Sequence, residues 1–152
     1  MQIAQIPLKS VVMATVNDNK RLFIAGRVFP EVAVDESLSI MSDVKWLRFI
    51  LEQFITNAVK YTFEPNKKIY ISAKQQQHQV HLLIRDEGIG IPNADLSRVT
   101  KAFYTGENGR KTGESTGMGL YMAKEICDRL GHQLVITSEV GKGTQIEVIF
   151  QS

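Results

Sequence analysis

Apolar residues recur at helical spacing in three stretches of the chain. The strongest pattern lies in VKWLRFILEQFITNAVKYT, which predicts a long helix capped by Ser42 or Asp43. Its apolar stripe consists of Trp46, Leu47, Ile50, Leu51, Phe54, Ile55 and Ala58. Weaker patterns predict one helix in PLKSVVMATVNDNKRLFIA, with Pro7 in its first turn, and another in LYMAKEICDRLG that ends at Gly131.

Alternating apolar and polar positions predict the strands. KKIYISAK and QVHLLIRDEG alternate around a glutamine-rich link, as in a hairpin, and HQLVITSEVGKGTQIEVIF predicts two more strands joined by a glycine turn. GRVFPEVAVDESLSIMSD predicts two short strands, the first at a sheet edge because Pro30 has no N–H. With no internal repeat, residues 1–152 are expected to form a single domain, a two-layer sandwich of one sheet with helices on one face.

Composition narrows the class of protein. The 152 residues are 43% apolar and 22% charged, as in soluble globular proteins, and a net charge of +2 does not favour nucleic acid as a partner. The lone Cys127 excludes an internal disulfide, and His78, His81 and His132 lack metal-ligand spacing. The chain has neither an apolar stretch of the roughly 18 residues that a membrane span needs nor the features of a signal peptide.

Four short stretches carry candidate chemistry, and the first lies on the long helix. Gln53, Asn57, Lys60 and Tyr61 are spaced three or four residues apart or adjacent, on or beside one face. An Asn carbonyl is a hard oxygen ligand suited to Mg²⁺, and a Lys one turn later can meet phosphate as a point charge. The alternative interpretation is the ordinary solvent face of an amphipathic helix.

The second stretch, IRDEGIGIPNADL, places an acid at a strand end. Asp86 there can accept a hydrogen bond from an exocyclic amine, while Gly88 and Gly90 remove side chains that would block a flat ring. A tight turn closing a hairpin is the alternative, and it explains most short patterns of this kind.

The remaining two stretches are rich in glycine. In STGMGL, Gly117 and Gly119 free the backbone at the start of a helix, whose first amides form an anion site. The stretch is neither a Walker loop nor a dinucleotide fingerprint, and a glycine hinge is the alternative. Gly143-Thr144 lies between the last two strands, where a hairpin turn is the simplest interpretation.

Together, these stretches resemble the catalytic ATP-binding domain of bacterial sensor histidine kinases, within the superfamily that includes gyrase and the Hsp90 chaperones. FITNAVKYT is similar to the N box, DEGIGIP to the G1 box, AFYTG to the F box, STGMGL to the G2 box and GKGT to the closing glycine element. The resemblance extends from about Leu8 to Phe150. In detail, the chain is similar to the short Gram-positive kinases that work with peptide-antibiotic transporters.

The resemblance implies an α+β Bergerat fold with one mixed, mostly antiparallel sheet, a lid loop over the site, and ATP and Mg²⁺ as cofactors. Asn57 is then expected to hold Mg²⁺, with Gln53 as a second metal candidate, and Lys60 to contact phosphate; Asn57 and Lys60 form the catalytic set. The full set of ATP-binding residues implied is Asn57, Lys60, Tyr61, Asp86, Gly88, Gly90, Ile91, Thr105, Arg110, Gly117, Met118, Gly119, Leu120 and Thr144.

Within this set the resemblance assigns individual roles. Asp86 is expected to read the adenine amino group, with Thr144 supporting that end of the pocket, and Tyr61 to lie beside the base or sugar. Gly88 and Gly90 are expected to let the ring lie against the backbone, with Ile91 as a wall. Backbone amides at the phosphates are expected from Gly117, Gly119 and Leu120. Lid contacts are expected from Phe103, Tyr104, Thr105 and Arg110.

The position of Gln53 indicates how such a site would act. Hydrolysing relatives carry a Glu there, and an amide cannot serve as a general base; Glu52 points about 100° away on the helix. We therefore expect negligible hydrolysis and phosphoryl transfer to a histidine. None of the three histidines lies in a His-Glu/Asp motif, so the acceptor is expected on a separate dimerisation domain.

The implied partners are that dimerisation domain, a cognate response regulator and an antimicrobial-peptide ABC transporter. The chain is then a monomeric fragment from the cytoplasmic part of a membrane-anchored sensor. Two alternatives remain: a stand-alone serine kinase of the anti-sigma type, and a degenerate docking module. The docking module would be indicated by loss of Asn57, Asp86 or the glycines, all of which are present.

Overall fold

The computed structural model describes residues 1–90 and 116–151. The helices and strands within them follow in a fixed order. They are β1 (Ala4–Pro7), α1 (Leu8–Asp18), α2 (Lys20–Gly26), β2 (Phe29–Ala33), β3 (Ser39–Ser42), α3 (Val44–Lys60), β4 (Lys68–Gln76), β5 (Gln79–Asp86), α4 (Thr116–Leu130), β6 (Gln133–Glu139) and β7 (Gly143–Gln151).

The main sheet has five strands in the order β2-β4-β5-β7-β6. Strand β2 pairs with β4 in parallel, and the other three pairings are antiparallel. This confirms the predicted mixed sheet, with the Pro30-containing strand at its edge. A two-stranded antiparallel ribbon of β1 and β3 was not predicted, because β1 is only four residues long and its partner lies far along the chain.

Helix α3 forms the centre of the helical layer. Asp43 is its cap, since Oδ1 accepts a hydrogen bond of 3.1 Å from the Trp46 amide. The other carboxylate oxygen accepts one of 2.6 Å from the Gln2 amide, which ties the N-terminal segment to the start of α3. The face that this helix buries consists of Leu47, Ile50, Leu51, Phe54, Ile55, Ala58 and Val59.

The single helix predicted from Pro7 onwards is wrong in one respect, because the chain forms two helices separated at Asn19. The Asn19 side chain donates a 2.8 Å hydrogen bond to the carbonyl of Thr15. A short polar side chain that satisfies a helix-end carbonyl in this way competes with continuation of the helix.

The two predicted hairpins are confirmed. Strands β4 and β5 pair antiparallel around a turn in which Gln77 is left-handed (φ 57°), and β6 pairs antiparallel with β7. Helix α4 ends at Gly131, which adopts the expected positive φ of 77°. As a result, β5 lies at the centre of the sheet, and its last residue, Asp86, lies at the end nearest the close of α3.

Candidate functional site

Asp86 is buried at the end of β5, where two main-chain amides hold its carboxylate. Oδ1 accepts hydrogen bonds from Gly88 at 2.9 Å and from Thr144 at 3.2 Å. No group in residues 1–90 or 116–151 donates to Oδ2, which is therefore open to a donor on a ligand. Burial raises the pKa of Asp86 to about 6, although both amide hydrogen bonds lower it.

The glycines after Asp86 are required by contacts within the protein. A Cβ on Gly88 would lie 2.2 Å from the carbonyl oxygen of Tyr61, and one on Gly90, whose φ is +77°, would lie 2.3 Å from that of Glu139. The missing side chains thus make room for the chain's own backbone, a reason that the sequence did not indicate. Contact of these glycines with a flat ring stays a prediction.

The segment after β5 is fastened on both sides through Ile89. Its amide donates to the carbonyl of Tyr61 at 3.0 Å, and its carbonyl accepts from Gly141 at 2.9 Å. The end of α3 and the β6–β7 turn are therefore joined through one residue between the two glycines. This explains why residues distant in sequence form one rigid corner around Asp86.

The start of β7 completes that corner. Gly143 has a φ of +125°, and a Cβ there would lie 2.2 Å from the carbonyl oxygen of Asp86. The hydroxyl of Thr144 lies 2.8 Å from that of Ser138 on β6, while its amide holds Asp86 directly. Thr144 thus lies where the sequence interpretation placed it. Ser138 was missed, since a single Ser in an edge strand gives no signal of its own.

The last turns of α3 bring the expected polar residues to the same corner. Tyr61 is buried, and the Lys60 ammonium lies 5.6 Å from the centre of its ring. Asn57 and Gln53 lie one and two turns earlier and are half-buried. Gln53 also reaches the first turns of α4: a Cβ on Gly119 would lie 2.6 Å from its Oε1 atom. The structure thus brings the candidate N-box and G2-box residues together.

Several predicted site residues are not described at the level of side chains. Ile91, Phe103, Tyr104, Thr105 and Arg110 lie outside the described residues. Gly117 and Met118 lie in the first turn of α4, where only the helical backbone is described. Leu120 is fully buried, so its side chain packs in the core and only its main chain can serve a ligand.

His132 is a buried polar residue whose environment the sequence did not indicate. Its Nε2 atom lies 2.8 Å from the hydroxyl of Ser42, and its ring packs edge-on against Phe150 with centres 4.5 Å apart. Burial lowers its pKa to about 4. The neutral imidazole therefore joins β3 to the end of α4 and plays a part in folding.

Comparison with known proteins identifies the family. Residues 42–152 match the family described as histidine kinase-, DNA gyrase B-, and HSP90-like ATPases. The chain belongs to this ATPase family. Membership implies ATP binding, and it confirms the resemblance based on the glycine boxes.

Curated relatives place the chain closer to one branch of the ATPase family. The sensor histidine kinase YxdK of Bacillus subtilis is 38% identical over 149 residues, which are 98% of this chain and 46% of YxdK. The sensor protein kinase GraS of Staphylococcus aureus (strain MRSA252) is 39% identical over 111 residues, 73% of this chain and 32% of GraS. The similarity to Gram-positive sensor kinases is confirmed, and the chain spans less than half of either relative.

Solved structures confirm the Bergerat fold of the ATPase family. The catalytic domain of histidine kinase ThkA superposes with a TM-score of 0.84 at 18% identity, covering 99% of this chain and 98% of that one. The mycobacterial sensor histidine kinase MprB gives 0.82 at 20% identity, covering 99% and 97%. Among the described helices, none has the length and apolarity to cross a membrane.

Proposed function

We propose that this domain binds Mg-ATP and donates the γ-phosphoryl group to a histidine on a separate dimerisation domain, as the catalytic part of a two-component sensor histidine kinase. The observation that carries the proposal is the Asp86 carboxylate. One of its oxygens is held by two protein amides, and within the described residues the other has no donor. The similarity to YxdK and GraS supports the choice of histidine as acceptor.

The Asp86 geometry favours adenine over guanine. With a pKa of about 6, the carboxylate is mostly ionised at neutral pH and acts only as an acceptor. Adenine presents an amino group at position 6 of its ring, whereas guanine presents a carbonyl there. An amino donor complements Oδ2, while a carbonyl would set two acceptors against each other in a buried site, which costs roughly 1–3 kcal/mol.

The phosphate side of the proposed site is formed by the ends of two helices. Lys60 on α3 supplies a positive charge, and the first amides of α4, near Gly117 and Gly119, supply donors at a helix N-terminus. Residues 1–90 and 116–151 contain no cluster of three or more His, Cys, Asp or Glu that could hold a metal. Mg²⁺ would therefore rely on the Asn57 carbonyl and the nucleotide's own phosphate oxygens, where it neutralises phosphate charge.

The proposed reaction is transfer rather than hydrolysis. The amide of Gln53 cannot take a proton from water, and it packs beside Gly119, at the junction of the two helices. Positioning of the phosphates by Asn57, Lys60 and the α4 amides is then the main contribution of the protein. We also propose that Thr105 and Arg110 contact the nucleotide from a lid.

The proposed partners follow from the relatives. A dimerisation domain that carries the acceptor histidine and a cognate response regulator are expected for a sensor kinase. Membrane anchoring of the whole protein, an antimicrobial-peptide transporter as partner and a monomeric state for this domain alone are further parts of the proposal. They are supported by the similarity to Gram-positive sensor kinases.

The first test is calorimetric titration of ATP, with and without Mg²⁺, into the parent and Asp86→Asn. We expect micromolar to sub-millimolar affinity for the parent and a loss of about tenfold or more for the variant, equivalent to about 1.4 kcal/mol. Asp128→Asn is the matched control, because Asp128 is exposed and pairs only with Lys124 on the helix surface. GTP should bind at least about tenfold more weakly than ATP.

The second test concerns the acceptor. The domain with ATP is incubated with a histidine-bearing dimerisation domain and, separately, with a serine substrate of the anti-sigma type. Acid-labile phosphate on the dimerisation domain supports the proposed function, whereas phosphoserine supports the serine-kinase alternative. A folded parent that gives no heat with ATP would favour the docking-module alternative.

A further inference from the structure

A groove lies between α1, α2 and β2, away from Asp86, and no step of the proposed reaction uses it. Its volume is about 480 Å³, in the range of small-molecule sites, and its surface is mainly apolar. Val16, Phe23 and Val28 line it as buried residues. Its other apolar lining is exposed: Ile24 by 70% and Phe29 by 54%. We call this site the α2 groove.

Two cations accompany the apolar lining. Lys20 and Arg27 line the α2 groove, and neither Asp nor Glu does. Within the described residues, neither cation pairs with an acid. The nearby Asp18, at the end of α1, is engaged by Arg48. The complement of this surface is therefore a molecule with an apolar body and an anionic head.

The edge of β2 argues against an extended peptide as the occupant. The Phe29 amide donates to the carbonyl of Lys67, on the β4 side, so the main chain of Pro30 and Val32 faces the open edge. Pro30 has no N–H, which removes a donor that a peptide strand would need. An occupant that relies on apolar contact and charge does not need that donor.

We propose that the α2 groove binds a free, single-chain fatty carboxylate. The tail lies along Val16, Phe23 and Val28, and the carboxylate pairs with Lys20 and Arg27. Burial of an alkyl chain contributes roughly 0.8 kcal/mol per methylene removed from water, and charge-assisted hydrogen bonds fix the orientation. The groove is concave with a buried floor, which suits one detached chain better than the surface of a bilayer.

The test uses decanoate below its micelle concentration as the probe. Amide chemical shifts of the parent are followed during titration, with calorimetry for affinity. We expect millimolar or tighter binding with shifts concentrated in α1, α2 and β2. Decylammonium, which has the same tail and the opposite charge, should bind at least about tenfold more weakly.

The variant pair separates charge from general stickiness. Lys20→Gln/Arg27→Gln should weaken decanoate binding at least about tenfold, while Arg21→Gln, an exposed residue of the same helix that does not line the groove, should change it less than about twofold. ATP affinity and the melting temperature serve as controls for folding.

Several outcomes would overturn the proposal. They are absence of decanoate binding, equal binding of decylammonium, and shifts centred outside α1, α2 and β2. Binding that appears only with anionic vesicles would assign the groove to a membrane surface instead. Self-association of the parent that the Lys20→Gln/Arg27→Gln change abolishes would assign it to a second copy of the chain.

Discussion

The amide of Thr144 donates a hydrogen bond of 3.2 Å to Oδ1 of Asp86, across 58 residues of sequence. Together with the Gly88 amide it occupies one carboxylate oxygen and fixes the direction of the other. A buried carboxylate held in this way is costly to ionise, which links recognition of a ligand to the stability of the fold. The first two predictions follow from that link.

Asp86→Asn should weaken ATP binding and stabilise the free domain. The Asn carbonyl can still accept both amide hydrogen bonds, and the cost of burying a charge disappears. Because the pKa of Asp86 is raised from 3.8 to about 6, the stabilisation by its protonated form is complete below pH 3.8 and is lost as the pH rises through 6. At neutral pH we expect a gain on the order of 1–3 kcal/mol in urea unfolding. A lower stability would contradict the burial argument.

ATP affinity should fall as the pH is lowered through about 6, the pKa of Asp86. The protonated carboxyl loses its charge, and its proton competes with the adenine amino group, so affinity should fall by up to about tenfold per pH unit well below the pKa. Calorimetry from about pH 8 to 5 measures this profile. Asp86→Asn should be nearly flat over the same range; an equal slope in both proteins would assign the titration elsewhere.

Gly143→Ala should destabilise the domain far more than Gly141→Ala, although both glycines lie in one turn with positive φ. A Cβ on Gly143 would lie 2.2 Å from the Asp86 carbonyl oxygen, whereas one on Gly141 meets nothing within 4 Å. We expect a loss of about 3 kcal/mol or more for the first and about 1 kcal/mol for the second. Thermal and urea unfolding measure both. Equal losses would mean that backbone strain alone sets the cost.

The domain should lose stability in mild acid through His132. Burial lowers the pKa of His132 from 6.5 to about 4, so the contribution of its neutral form is present above pH 6.5 and is lost as the pH falls toward 4. The loss attributable to His132 at pH 5 is about 2 kcal/mol. Urea unfolding at about pH 7.5 and pH 5 measures it, with His132→Gln as the comparison.

Asp86 acts in the opposite direction over part of that range, because its folded-state pKa is raised. The His132 comparison is therefore made in an Asp86→Asn background. In that background the parent histidine should give the pH-dependent loss and His132→Gln should not. The same loss in both proteins would place the titrating group elsewhere.

Local pattern predicted most of the fold. The Leu47–Val59 stripe of α3 and the alternation of β4 and β5 are signals contained in short windows, and the structure confirms both. The β1–β3 ribbon was missed because Ala4–Pro7 is too short for a pattern and pairs with residues more than 30 positions away. The break at Asn19 was missed because a side chain makes it, without Gly or Pro.

The candidate site shows the same division. Asp86, Asn57 and Lys60 were found from residue type and spacing, because chemistry limits which side chains can serve. The physical reason for Gly90 was not accessible, since the atom that a Cβ would meet belongs to Glu139, nearly 50 residues later. The burial of His132 depends likewise on Ser42, which joins it only in the folded chain.

Strand β5 is paired on both sides, by β4 and by β7, so its amides have no open edge from which to fray. Hydrogen exchange of β5 should therefore require unfolding of the whole domain, while the β1–β3 ribbon, with only one pairing, can open at lower cost. The carboxylate that selects the base is thus attached to the slowest-exchanging part of the molecule. Partial unfolding that detaches the ribbon and loosens the start of α3 would leave that selection in place.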